Sequence, residues 1–332
     1  MIVSIEKAIA ILKSEGVVGM PTETVYGLAG RISSPTALHK IFSTKNRPFF
    51  DPLIVHVSSV SEALPLFEDW GPLAQALAEE FWPGPLTLVM NKNKTHVSDL
   101  ITSGLTRVGV RCPNHPLALN LISKIGEPLA APSANHFGKT SPTTAQHVES
   151  EFQGQIPVVD GGPCDVGIES TVLLIDRNQL SILRPGVITA AQITTTLSHQ
   201  GLSFVWSQQV SKAVSPGHMK HHYMPSKPLF WIEGPLPPEL MATLNQKLKE
   251  IPDTVEGVTI SKPPTIRSVA ELILPRDPKI AARELYSELR RLGESSTDAI
   301  VFSALPHHDA PEWAAILERL KKACSLKIDS QS

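Results

Sequence analysis

The chain has 332 residues, 42% of them hydrophobic and 19% charged, a composition that supports packed cores and excludes general disorder. At this length two domains of ordinary size are expected. Acidic residues number 32 against 30 basic ones, for a formal net charge of −2, which excludes a protein that coats nucleic acid through a broad basic field.

Residues 4–15 read as a first helix, with Ile5, Ala8, Ile9 and Leu12 on one face and Gly16 placed to stop it. Residues 17–20 form a short apolar run that empties into Pro21 as a strand. A helix over 35–42 precedes a polar loop, 43–52, and the β-branched run 53–57 is strand-like. Leu73, Leu77 and Phe81, with Ala74 and Ala78, mark an amphipathic helix closed by Pro83-Gly84-Pro85. Further strands are expected at 86–90, 108–111, 129–131, 158–160, 171–175 and 181–184. The order implies an α/β domain with a mixed, twisted sheet over residues 1–204. Residues 205–228, rich in Pro, His and Lys from Ser215 onward, read as an interdomain linker. Residues 229–332 then read as a small Rossmann-like α/β domain, with strands at 229–232, 257–260 and 299–302 and helices at 238–249, 280–292 and 310–323.

Other patterns are excluded. Cys112, Cys164 and Cys324 lie far apart and make neither a disulfide framework nor a CxxC metal site. No apolar run reaches the roughly 18–20 residues needed to span a bilayer. The first residues show no signal-peptide layout, so a cytoplasmic protein without membrane association is expected. There is no GxxxxGK[ST] loop, no GxGxxG in a βαβ unit, no HExxH and no GxSxG elbow. His221-His222 and His307-His308 are adjacent pairs, which do not share a helical face, so neither suggests a metal site.

Five segments carry more special residues than structural loops require. Pro21-Thr22-Glu23-Thr24-Val25-Tyr26-Gly27-Leu28 follows a strand and offers two hydroxyls and a carboxylate; a capped turn would use the same residues. In the segment from Lys45 to His56, Lys45 and Arg47 can point at one anion, and His56 faces the opposite side of its strand from Val55 and Val57; a solvated loop and an exposed histidine are the plainer reading. Arg107 and Arg111 share a strand face, and their guanidinium forks suit carboxylate or phosphate, although surface ion pairs would look the same. Ala130 to Asn135, continuing through Gly138 to Thr143, combines small residues with hydroxyls suited to backbone and phosphate contact. Asp160 to Val172, followed by Ile182 to Gly186, is either a Gly-rich hairpin or part of the same site.

In this order, PTETVYGL, KNRPxxxPLIVH, VRCPNHP, APSAN…GKTSPT, GGPCDVGIESTV and ILRPGVIT closely resemble the signature blocks of the YrdC-like threonylcarbamoyl-AMP synthase family, over about residues 5 to 200. The linker with His222-Tyr223-Met224-Pro225 and the C-terminal domain resemble its two-domain members. The resemblance implies a YrdC-like sheet and a nucleotidyltransferase. It would join L-threonine, bicarbonate and ATP into threonylcarbamoyl-AMP with release of pyrophosphate, Mg2+ accompanying the ATP. A separate transferase complex would then modify tRNA, while the net charge argues against direct gripping of tRNA. No protein nucleophile is implied. Position by position, Thr24, His56, Arg111, Ser170 and the backbone of Ala131 would surround threonine. Lys45, Arg47, Asp51, Arg107, Ser133, Asn135, Ser141, Arg184 and Tyr223 would contact ATP, Tyr223 from a linker that folds over the site. Arg107 stands where the family pattern has a small hydroxyl residue, Asp51 where Asn is common, Phe137 where a small polar residue is usual, and the run His218-Met219-Lys220 differs slightly.

Overall fold

The computed structural model describes residues 1–207, 221–255 and 258–328. Residues 208–220 of the expected linker, His218, Met219 and Lys220 among them, and Gly257 of the expected strand at 257–260 lie outside the described residues. The described chain falls into two compact units, one within Met1–His136 and Pro142–His218, the other within Phe137–Ser141 and Met219–Ser332.

The first unit is built on a mixed sheet. Its strands are β1 (Ile2–Val3), β2 (Val18–Met20), β3 (Gly27–Arg31), β4 (Ile54–His56), β5 (Leu86–Asn91), β6 (Arg107–Arg111), β7 (Leu129–Ala130), β8 (Val158–Val159), β9 (Thr171–Asp176), β10 (Gln179–Arg184) and β11 (Val205–Trp206). They lie in the order β1, β8, β2, β3, β7, β4, β6, β5, β9, β10, β11. The helices are α1 (Ile5–Lys13), α2 (Pro35–Lys45), α3 (Val60–Ala63), α4 (Pro72–Phe81), α5 (Asp99–Thr102), α6 (Pro116–Ile125), α7 (Ala145–Glu151) and α8 (Ala190–His199).

Both faces of the sheet are covered, and β7 shows how. Leu129 and Ala131 join the core beneath α1 and α6 with Ala8, Leu12, Leu121 and Ile122. Ala130 joins the opposite core with Leu38, Ile41 and Leu77. This is the two-residue alternation of a strand buried on both sides.

Strand β3, Gly-Leu-Ala-Gly-Arg, is absent from the sequence reading because its glycines weaken the strand signal. A Cβ at Gly30 would lie 3.1 Å from Ile41 and 3.2 Å from Ala37, so the small residue lets α2 press close. The helices α6, α7 and α8 also escaped that reading, although α8 opens with a capping box between Thr189 and Gln192. Val205–Trp206, expected to begin the linker, instead pairs in parallel with β10, and Trp206 Nε1 donates to Thr194 Oγ1 at 3.1 Å.

The second unit has a parallel sheet in the order β15, β16, β12, β17. Its strands are β12 (Leu229–Glu233), β13 (Thr254–Val255), β14 (Val258–Thr259), β15 (Val269–Glu271), β16 (Ala299–Ala304) and β17 (Leu326–Ile328), with β13 and β14 as a separate pair. Helices α9 (Leu240–Leu248), α10 (Pro278–Glu294) and α11 (Ala314–Ala323) accompany them. The expected helix at 310–323 starts later, at Ala314, because Pro311–Trp313 forms a 3-10 turn first.

Residues 222–224, expected in the linker, are packed into this unit together with Phe137–Ser141. Met224 N–H donates to the Gly138 carbonyl at 2.8 Å, and Thr140 N–H to the Met224 carbonyl at 3.2 Å. Arg290 of α10 donates to the carbonyls of Thr140 and Ser141.

Leu285 of α10 is fully buried. Leu285→Ala is expected to lower unfolding free energy by about 2–5 kcal/mol in urea titration, whereas Lys279→Ala, on the exposed start of the same helix, should stay within about 0.5 kcal/mol of the parent.

Candidate active site

The parallel strands β4 and β6 end side by side, with His56 opposite Arg111. Strand β5 runs against β6, Leu88 facing Val110, and parallel to β9, Thr87 facing Val172. The carboxyl ends of β4 and β6 therefore meet the amino ends of β5 and β9. The loop after β2 arrives there as well.

That loop is fixed by Thr22. Its hydroxyl donates to the Val25 carbonyl at 2.6 Å and accepts from the N–H groups of Thr24 at 3.2 Å and Val25 at 3.3 Å, a side-chain turn of the kind threonine supports. The turn presents Glu23 and Thr24 to β6. Arg111 Nη2 donates to Glu23 Oε2 at 2.6 Å, and Nη1 to Thr24 Oγ1 at 2.8 Å. Glu23, Thr24, Arg111 and His56 are each 4% exposed or less. The expectation of an exposed strand histidine fails because both faces of β4 are covered. Burial, followed by the neighbouring Arg111 charge, drives the His56 imidazole down to about 3, so it is neutral near pH 7. Among the described residues, three buried atoms of this group have no hydrogen-bond partner: Glu23 Oε1, Arg111 Nε and His56 Nδ1. Such atoms are costly in a folded protein and point to groups that a ligand satisfies.

Beside them, Ser170 Oγ lies 2.8 Å from Thr87 Oγ1, and Arg184 grips the Ser170 carbonyl through Nε at 3.2 Å and Nη2 at 3.1 Å. Arg184 Nη2 also reaches Ser170 Oγ at 3.2 Å. Gly186 allows this closeness, since a Cβ there would fall 2.4 Å from the Thr171 nitrogen. Thr87, inside an apolar strand, gave no functional signal in the sequence.

A third group surrounds the end of α2. Lys45 is buried and its ammonium donates to the carbonyls of Ser133, at 2.5 Å, and Asn135. Burial, reinforced by Arg47, pushes its pKa well below the usual lysine range. Arg47 bonds the carbonyls of Asp51 and Pro52, at 3.0 and 2.7 Å, and lies 2.9 Å from the Asp51 carboxylate. Asp51 thus faces a cation. Ala131 N–H bonds Ile54 O at 3.0 Å, and Ser133 bridges Gly27, which ties this group to the loop after β2.

The structure separates Arg107 from Arg111. Four residues of strand place them about 13 Å apart, and Arg107 pairs at 2.5 Å with the half-exposed Asp176 at the far end of β6. The plain surface ion pair is correct for Arg107 and incorrect for Arg111. Ser141 and Tyr223 belong to the second unit, where the Tyr223 ring stacks on Tyr286 at 5.6 Å beneath Arg319. Among the described residues no group of three or more His, Cys, Asp or Glu side chains could hold a metal ion. Nor is any helix among them long and apolar enough to cross a membrane.

Residues 10–186 match a family model described as telomere recombination, and residues 188–325 one described as threonylcarbamoyl-AMP synthase, C-terminal domain. A Bacillus subtilis threonylcarbamoyl-AMP synthase is 38% identical over 98% of this chain and 94% of its own length. The chain belongs to the threonylcarbamoyl-AMP synthase family. A Pyrococcus abyssi family member is 33% identical over 97% of this chain and 94% of its own. A crystal structure of P. abyssi Sua5 complexed with L-threonine superposes with a TM-score of 0.80 at 32% identity, covering 98% of this chain and 96% of that one. The two-domain members of the family thus match this chain along nearly its whole length.

The depressed His56 has a definite sign. A histidine that resists protonation when folded adds no pH dependence above its ordinary value of 6.5 and loses stability as pH falls from there toward about 3. Urea midpoints measured between pH 7 and 5 should therefore fall less for His56→Gln than for the parent.

Proposed function

We propose that the protein makes threonylcarbamoyl-AMP from L-threonine, bicarbonate and ATP, with release of pyrophosphate. The observation that carries this reading is the buried set of Glu23, Arg111 and neutral His56, whose unsatisfied atoms suit a small polar ligand. Arg184 holds Ser170 beside the start of β9, and Lys45 holds Ser133, which bridges Gly27 just after the loop that carries Glu23. The names of the full-length relatives and the threonine complex of the P. abyssi protein support this reading.

In this reading threonine's amine adds to the carbon of bicarbonate, water leaves, and a carbamate remains. A carbamate oxygen then attacks the α-phosphorus of ATP, and the bond to the pyrophosphate oxygen breaks. Neither step needs a protein nucleophile. Positioning is worth up to roughly 7–11 kcal/mol in ideal intramolecular cases, and fixed cations offset charge on the phosphates. Arg111 would hold the threonine carboxylate, with Thr24, Ser170 and the Ala131 backbone around it. Lys45, Arg47, Ser133, Asn135 and Arg184 would serve the nucleotide. Asp51 tempers the charge of Arg47, and Arg107, bound to Asp176, is left out of this set. Magnesium would enter with ATP. The product would pass in the cytoplasm to a separate enzyme that transfers the threonylcarbamoyl group to tRNA.

Pyrophosphate release by the purified chain with ATP and magnesium should require both threonine and bicarbonate; release indifferent to threonine would remove the substrate assignment. Arg111→Lys keeps the charge and loses the planar fork. It should raise the KM for threonine by about tenfold or more, with ATP affinity within about twofold of the parent.

A further inference from the structure

We propose that Glu23 is a specificity-determining residue that receives the α-ammonium group of the amino-acid substrate. This rests on the threonine reading of the site. Glu23 is 4% exposed, and its two carboxylate oxygens have different surroundings. Oε2 accepts from Arg111 Nη2 at 2.6 Å, whereas Oε1 is buried without a donor among the described residues. Arg111 repeats the pattern with opposite sign: Nη1 and Nη2 are engaged by Thr24 and Glu23, and Nε is buried without an acceptor. One ion pair therefore leaves one acceptor and one donor unsatisfied.

An amino acid supplies the complement of both. Its carboxylate can accept from Arg111 Nε and its ammonium can donate to Glu23 Oε1. Charge leads to the same match. Glu23 and Arg111 cancel, and His56 is neutral because burial and Arg111 depress it. A net-neutral pocket takes a zwitterion without leaving uncompensated charge, whereas a hydroxy acid of the same shape would bring one excess negative charge. The loop is rigid enough to impose the choice: Thr22 fixes the turn on one side, and on the other Val166 N–H donates to the Glu23 carbonyl at 2.8 Å.

A purely structural Glu23 would serve only to orient Arg111, and its loss would weaken recognition of the substrate carboxylate. An ammonium acceptor would instead set the preference for an amine. Calorimetric titration of the full chain with L-threonine, the matching 2,3-dihydroxybutanoate and L-threoninamide separates the two. The parent should prefer threonine over the dihydroxy acid by about tenfold or more. In Glu23→Gln the amide either turns a donor toward the ammonium or loses the charge that attracts it, so this ratio should fall to within about threefold of unity. The threonine-to-threoninamide ratio, set by Arg111, should stay within about threefold of the parent. Ratios measured in one sample cancel any difference in folded fraction. Glu23→Asp, which keeps the charge one methylene further back, should recover part of the amine preference.

An unchanged amine preference in Glu23→Gln, or a loss confined to the carboxylate ratio, overturns the assignment. So does a parent that binds threonine and the dihydroxy acid equally. A parent that binds no threonine at all refutes the substrate reading instead.

Discussion

Arg111 carries a full positive charge where only 4% of the residue meets solvent, and the arrangement around the site follows from that. An isolated buried cation is prohibitively costly, so a counter-charge has to be delivered to it. Glu23 supplies it from the loop after β2, and the loop is turned correctly only because Thr22 ties its backbone. Burial, reinforced by the same charge, keeps the adjacent His56 unprotonated. Removal of Glu23 would leave Arg111 without its counter-charge.

The second cationic group obeys the same constraint differently. Lys45 donates to main-chain carbonyls, and Arg47 binds main-chain carbonyls together with the Asp51 carboxylate. Carbonyl dipoles hold an ammonium or guanidinium in place without cancelling its charge. Donors fixed on carbonyls in this way differ from the paired charges around Glu23 and Arg111. The two environments suit the two substrates assigned to them, one a zwitterion and the other a polyanion.

Much of this was legible in the sequence where local chemistry repeats a pattern. The strands at β4, β6 and β9 announce themselves by branched apolar runs, and the motif blocks identify the family and most of the side chains gathered here. Pair geometry was not legible. Arg107 and Arg111 share a strand and a face, yet one meets Asp176 in partial solvent and the other Glu23 in the interior; only the sheet's order decides that. Thr87 was invisible for the same reason, since its partner Ser170 is distant in sequence. Strand β3 was hidden by glycines that serve helix packing, and Val205–Trp206 was read as linker because pairing with β10 leaves no local signature.

Strand order also has a kinetic consequence. Neighbours in the sheet are far apart along the chain: β5 at residue 86 pairs with β9 at residue 171, and β7 at residue 129 fits between β3 and β4. Pairings of such high sequence separation form late, after much of the chain-closure entropy has been overcome. Arg111, Ser170 and Arg184 can therefore meet only when most of the first unit has been synthesised and threaded into register. A chain that has not yet been extended to Arg184 cannot assemble this group of side chains.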